Sequence, residues 1–171
     1  MDPSTLFERQ LSANTEAFGW AVGQVPTERL FVAPPRLLGE WPAARQAFHL
    51  LYYEREVALS STRLWAGGPY PTFGGYNEQA AWDAWDRDIE AVLAEFARVR
   101  EGQLAVVRGV DEAAWREERD TPWGRRSLYW VSSKTLQHAL EHTNAVLKTA
   151  LLWEHYERRS QDPRYSAAVM E

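Results

Sequence analysis

The chain has 171 residues, of which 45% are hydrophobic, 25% charged and 13% aromatic, the makeup of one folded domain with a real core and not of a disordered segment. It has no cysteine, which removes disulfides, a thiol nucleophile and a thiolate metal site, so any sulfur chemistry must arrive with a substrate. The net charge is −5 and the basic residues lie singly among acids, which excludes the electrostatic footprint of a nucleic-acid binder. The first ten residues lack a basic and then apolar leader, and no run of about 18 apolar residues occurs, so no membrane partner is expected and the chain reads as cytoplasmic.

Taken in chain order, the periodicity predicts an all-α fold. A capping box, Thr5-Leu6-Phe7-Glu8, starts a first helix that runs to about Val25, with Phe7, Leu11, Asn14, Phe18, Val22 and Val25 on one face and Pro26 as its stop. A second helix begins near Trp41-Pro42, proline being tolerated in a first turn, and continues to about Arg63. Its inner face carries Trp41, Arg45, Phe48, His49, Tyr52 and Leu59. The Gly-Pro-aromatic stretch 66–76 reads as a loop that can cover a pocket or simply connect. Asn77 then caps a third helix whose stripe is Trp82, Trp85, Ile89, Val92, Phe96 and Val99. A short helical turn is expected over 111–117, followed by a loop through RDTPWGRRS and a fourth long helix from about Leu128 to Tyr156. Residues 1–157 form the expected domain and 158–171 a poorly ordered tail.

The fourth helix is the most informative. At about 100° per residue, Gln137, Glu141, Asn144, Lys148 and His155 stack into one polar stripe, and the remaining circumference is apolar or small, with Ser132, Ala139, Thr143 and Ala150 in mid-arc. Such a helix belongs at the centre of a four-helix bundle, where small residues allow a neighbour to approach closely.

Of only four histidines, His138 and His142 stand one turn apart on the inward arc, a spacing that aims two imidazoles at one point as metal chelation requires. His49 lies on the inner face of the second helix. Three inward imidazoles need partners for their nitrogens, and a shared divalent metal satisfies all three at once. The plainer alternative is that backbone carbonyls, Tyr52, Asn14 or Thr135 satisfy each ring separately. Tyr52, three residues after His49, is placed to line a pocket or stand behind a ligand, as Asn14 is. Glu54 and Glu56 read first as solvated charges, and His155 as a surface residue. Trp65 and Trp123, beside Gly and Pro, are either core or the rim of a pocket.

At this point WPAARQAFHLLYYERE resembles the second-helix signature of the DinB-like (DinB/YfiT) superfamily of metalloenzymes, in which a tryptophan precedes a histidine by eight positions and a glutamate follows, here Trp41, His49 and Glu54. TPWGRRSLYWVSSKTLQHALEHTNAVLKT is similar to the superfamily's last conserved segment, a Thr-Pro-x-Gly turn before a helix with an H-x-x-x-H pair. The resemblance implies a four-helix bundle of up-down-down-up connection, to which the turn over 111–117 adds a short extra helix between helices 3 and 4. It also implies a divalent ion, nickel or zinc, held by His49, His138 and His142, with Glu54 near the site. Many members continue after the pair with an Arg-Gly-Gln-like run where this chain has Thr143-Asn144-Ala145, a change on the substrate side of the ligands.

Three imidazoles leave a coordination position open, the arrangement of a catalytic site and not of a closed structural one. The resemblance implies thiol-dependent transferases or isomerases that draw on an external low-molecular-weight thiol, so an S-transferase or hydrolase acting on a small-molecule substrate is the first reading. No catalytic residue beyond the ligands is singled out. A stress-related metal-binding protein without turnover is the second reading. The third is a non-catalytic bundle that self-associates as a homodimer through Leu136, Leu140 and Leu147. Glu-x-x-His pairs of di-iron bundles, a Walker loop, a dinucleotide fingerprint and a nucleophile elbow are all missing.

Overall fold

The computed structural model describes residues 2–73 and 75–161. Helix α1 (Pro3–Gly23) opens earlier than the Thr5 capping box, because Asp2 takes the N-cap: its carboxylate accepts from the Thr5 N–H at 3.0 Å and from the Thr5 hydroxyl at 2.6 Å. Pro3 then sits in the first turn, where its missing N–H costs nothing. Phe7, Leu11, Asn14, Phe18 and Val22 are buried along one face, as the periodicity requires.

After two 3₁₀ turns, Thr27–Arg29 and Arg36–Leu38, comes α2 (Ala43–Tyr53). It runs without a break into a π-turn (Glu54–Ala58), α3 (Leu59–Thr62) and a 3₁₀ turn (Arg63–Ala66). The expected helix thus has nearly the right extent but contains a wide turn, of the kind often found near functional sites. The wide turn coincides with Glu54, which is fully buried against a neighbouring helix.

The expected third helix is two helices. α4 (Glu78–Ala84) starts at the foreseen cap, with the Asn77 side chain accepting from the Ala80 N–H at 3.1 Å. The chain then turns out of helix through Arg87, whose φ is 70°, and restarts as α5 (Ile89–Gly109) under a second cap in which Asp88 accepts from the Ala91 N–H at 2.9 Å. Aspartates compete well for backbone N–H groups, so Asp86 and Asp88 terminate one helix and start another where the apolar stripe alone reads as continuous. Trp82 and Trp85 pack instead on Phe48, with ring centroids 5.4 and 5.3 Å away.

RDTPWGRRS, read as a loop, is a two-stranded antiparallel hairpin: β1 (Glu118–Thr121) pairs with β2 (Gly124–Ser127) and Thr121 faces Gly124 across a two-residue turn. Gly124 has φ 82°, a conformation in which a Cβ would be strained. The Thr121 hydroxyl donates to the Gly124 carbonyl at 2.6 Å and closes the turn. Residues 112–116 form turns and not a helix. α6 (Leu128–Gln161) extends five residues past its expected end, so the first part of the expected tail is helical, and the rest of it, 162–171, lies outside the described residues.

The long helices pack in a closed round, α1 on α5 and α6, and α2 on the same two. One apolar cluster gathers Phe18, Phe48, Leu50, Phe96 and Val146, and a second gathers Phe7, Leu11, Trp65, Leu104, Trp115 and Leu128. Each such side chain contributes roughly 1.5–3 kcal/mol on burial. The architecture is mostly helical with one small hairpin, and no helix among the described residues is long and apolar enough to cross a membrane.

Candidate metal centre

His49 sits in the middle of α2, and His138 and His142 stand one turn apart on the face of α6 that carries the buried Thr135, Ala139 and Thr143. The helices bring the three rings together with centroids 4.5–5.2 Å apart. The rings turn the same kind of nitrogen inward: His138 Nε2 lies 3.3 Å from His49 Nε2 and 3.2 Å from His142 Nε2. Donors roughly 2.0–2.1 Å from a tetrahedral ion stand about 3.3–3.4 Å from one another, so these spacings fit two edges of a coordination shell.

Protonation supports the same use. Burial pushes the His138 imidazole down to about 3, helped by repulsion from His142 and His49 and then from Lys134 and Arg100. Burial also pushes His142 down to about 4, with His49 adding to the effect while Glu141 and Glu78 oppose it. Both rings are therefore neutral near neutral pH, the state in which imidazole ligates.

Two rings are also held from behind. His142 Nδ1 lies 2.6 Å from the Gln46 amide oxygen, and His49 Nδ1 lies 2.7 Å from a carboxylate oxygen of Glu78. A carboxylate and an amide oxygen only accept, so the proton of each bond sits on Nδ1 and the Nε2 lone pair faces the centre. Glu78 is in turn paired with Arg45 at 2.7 Å. His138 has no such support among the described residues, where its buried Nδ1 lacks a hydrogen-bond partner. What it has is Tyr53, whose ring lies 4.1 Å from its own, centroid to centroid. Trp41 flanks His49 at 5.0 Å.

His49, His138 and His142 could hold a metal ion, with donor nitrogens all within 4.8 Å of one another. A family model of the DinB superfamily matches residues 10–146. The chain belongs to the DinB superfamily. Neither a curated protein nor a solved structure matches it. The three clustered histidines of this DinB-superfamily chain, His49, His138 and His142, fall within the matched span, as do Gln46 and Glu78.

The other expected site residues are placed differently. Glu54 is not solvated and bonds none of the imidazoles: it is fully buried, bonded to Arg100 at 3.0 Å and Gln103 at 2.6 Å on α5. Burial pushes its carboxyl upward, against the pull of Arg100 and Gln103. Asn14 donates to the Thr143 hydroxyl at 3.2 Å, tying α1 to α6 next to His142 without bonding the ring. Tyr52 is buried, and its hydroxyl accepts from the Asn77 N–H at 3.1 Å, so it anchors the residue before Glu78 and not an imidazole. His155 is exposed, as expected. Trp65 is buried in the second apolar cluster with its indole N–H on the Glu117 carbonyl at 3.2 Å, and Trp123 packs on Trp130.

Sequence reasoning missed Gln46, Tyr53 and Glu78. Gln46 and Tyr53 stand three before and four after His49, on the same helical face, and that spacing was available as a signal. Glu78 offered none, because an acid just after an Asn cap looks like ordinary helix-terminus chemistry.

Proposed function

We propose that this chain is a mononuclear, divalent-metal-dependent enzyme acting on a small molecule, with His49, His138 and His142 as ligands and nickel or zinc as the ion. The reading rests on one observation: imidazoles whose Nε2 atoms converge at coordination spacing, two of them with the Nδ1 proton already engaged by Gln46 and Glu78. Three protein ligands leave room for a small molecule, where a structural site closes with four. When bound, the ion supplies Lewis acidity, enough to lower the pKa of a water or to ionise a thiol.

The chain's own residues define the rest. Burial raises the Tyr53 phenol far above its ordinary value, so it stays protonated, and its buried hydroxyl has no hydrogen-bond partner among the described residues. It is a donor waiting for an acceptor beside His138. Trp41 shields one side of His49. Because the chain has no cysteine, a thiol must come from a second small molecule, and a thiol-dependent S-transferase is the sharper form of the proposal, with hydrolysis as the broader one. The round of long helices is read as the superfamily's up-down-down-up four-helix bundle.

The test is metal content after purification without added ion, followed by titration with nickel and zinc. About one equivalent is expected, with binding strongly weakened in His138→Ala. Less than about 0.2 equivalents after titration, or unchanged binding in His138→Ala, overturns the ligand assignment. Conjugation of a thiol to an electrophile should then fall on adding a chelator; a rate indifferent to chelator leaves a metal-binding protein without this turnover.

A further inference from the structure

The two supports behind the imidazoles differ in origin. Gln46 belongs to α2 itself, the helix that carries His49. Glu78 is the first residue of α4, a seven-residue helix outside the four long ones, in which no residue is buried. Yet its own side chain is only 12% exposed, and every polar atom of it is engaged: Oε2 with His49 Nδ1 at 2.7 Å and the Tyr76 hydroxyl at 3.3 Å, Oε1 with Arg45 at 2.7 Å. Beyond this carboxylate, α4 and the residues flanking it are held on α2 by Trp82 and Trp85, which pack on Phe48, by the Arg45 guanidinium over Trp82, and by the Asn77 N–H on the Tyr52 hydroxyl. Of these contacts, the Glu78 bond is the one that reaches a site histidine.

We propose that Glu78 is a positioning residue for the ion and that α4 is thereby coupled to the metal centre. This rests on the reading of the three histidines as ligands. The carboxylate holds the His49 proton on Nδ1 and fixes the ring plane, so Nε2 points inward only while α4 is docked on α2. Coupling of this kind is reciprocal: if docking of α4 raises affinity for the ion, the ion raises docking of α4 by the same factor. Outer partners of ligating imidazoles typically change affinity about 10- to 100-fold.

The experiment is calorimetric titration with nickel(II) alone, together with amide hydrogen exchange. Glu78→Ala should lose about 10- to 100-fold in affinity. Glu78→Gln keeps an oxygen for Nδ1 but loses the charge that pairs with Arg45, and should recover most of that loss. Gln79→Ala, exposed on the same helix, should bind as the unmodified chain does. In the unmodified chain, nickel should slow exchange of the amides at 82–85, a readout that needs no variant. Failure of the unmodified chain to bind nickel sinks the ligand reading and this inference with it. Normal binding in Glu78→Ala sinks the inference alone. Equal losses in Glu78→Ala and Glu78→Gln, or a loss in Gln79→Ala, reduce Glu78 to an anchor for α4, and exchange indifferent to nickel removes the coupling.

Discussion

At Glu54 a carboxylate with no exposed surface meets a guanidinium that is also fully buried, and Gln103 bonds to both. Such a pair adds little over a well-packed apolar pair, but removing one partner strands a charge in the core. Glu54→Ala should therefore lower the unfolding free energy by about 3–5 kcal/mol, measured by urea denaturation, while joint replacement of Glu54 and Arg100 by leucine and methionine should recover most of the loss. A loss below about 1 kcal/mol would mean that water reaches Arg100. The same residue marks the limit of reading side chains from periodicity. His49, His138 and His142 were legible because each helix positions its residues by rotation alone, and helical spacing predicts that directly. Glu54 follows His49 by five along a helix that is still regular, about 140° around it, where it meets a neighbouring helix that the periodicity of its own helix does not reveal, so solvent was the wrong default.

Among elements, the long helices were legible and the punctuation between them was not. Phe7 to Val22 and Ile89 to Val99 repeat every three or four residues, which only a helix explains. The stripe from Trp82 through Ile89 obeys the same rule by coincidence, and the decisive groups are Asp86 and Asp88, whose side chains bind backbone N–H groups at 3.2 and 2.9 Å. The hairpin was hidden for a related reason: four-residue strands are too short to show alternation, and Thr-Pro-Trp-Gly reads equally as any turn. If Asp88 is what starts α5, Asp88→Ala should cost about 1 kcal/mol, or a fall of roughly 2–4 °C in the melting midpoint, whereas Asp88→Asn and Asp88→Ser should cost only a few tenths. Equal melting of the alanine and asparagine variants would show that packing of Trp82 and Trp85, and not the cap, breaks the helix.

For the molecule as a whole, the cluster of three histidines is a place where folding works against protonation. With no ion bound, burial keeps His138 and His142 neutral, with folded values of about 3 and about 4 against roughly 6.5 in an unfolded chain. A depressed pKa means that the unfolded chain takes up protons first. Their contribution to stability is therefore complete above about pH 6.5, erodes as pH falls below it, and is exhausted once the folded rings protonate near pH 4 and 3. Between about pH 6 and 4.5 the slope of unfolding free energy against pH should report up to about two extra protons bound on unfolding, and the double variant His138→Phe/His142→Phe should lose that part of the slope. Arg29 holds the Glu154 carboxyl below its usual range, so that ion pair begins to lose its contribution at lower pH than the imidazoles do. Added nickel should raise stability across that window without altering the part of the slope due to these two rings, which are already neutral there, since an ion that binds only the folded chain stabilises it in proportion to the logarithm of its concentration; it should carry the dependence to lower pH, where it competes with protons for the folded rings. A slope unchanged by the double replacement would place the acid sensitivity elsewhere and remove the picture of neutral imidazoles held ready in the core.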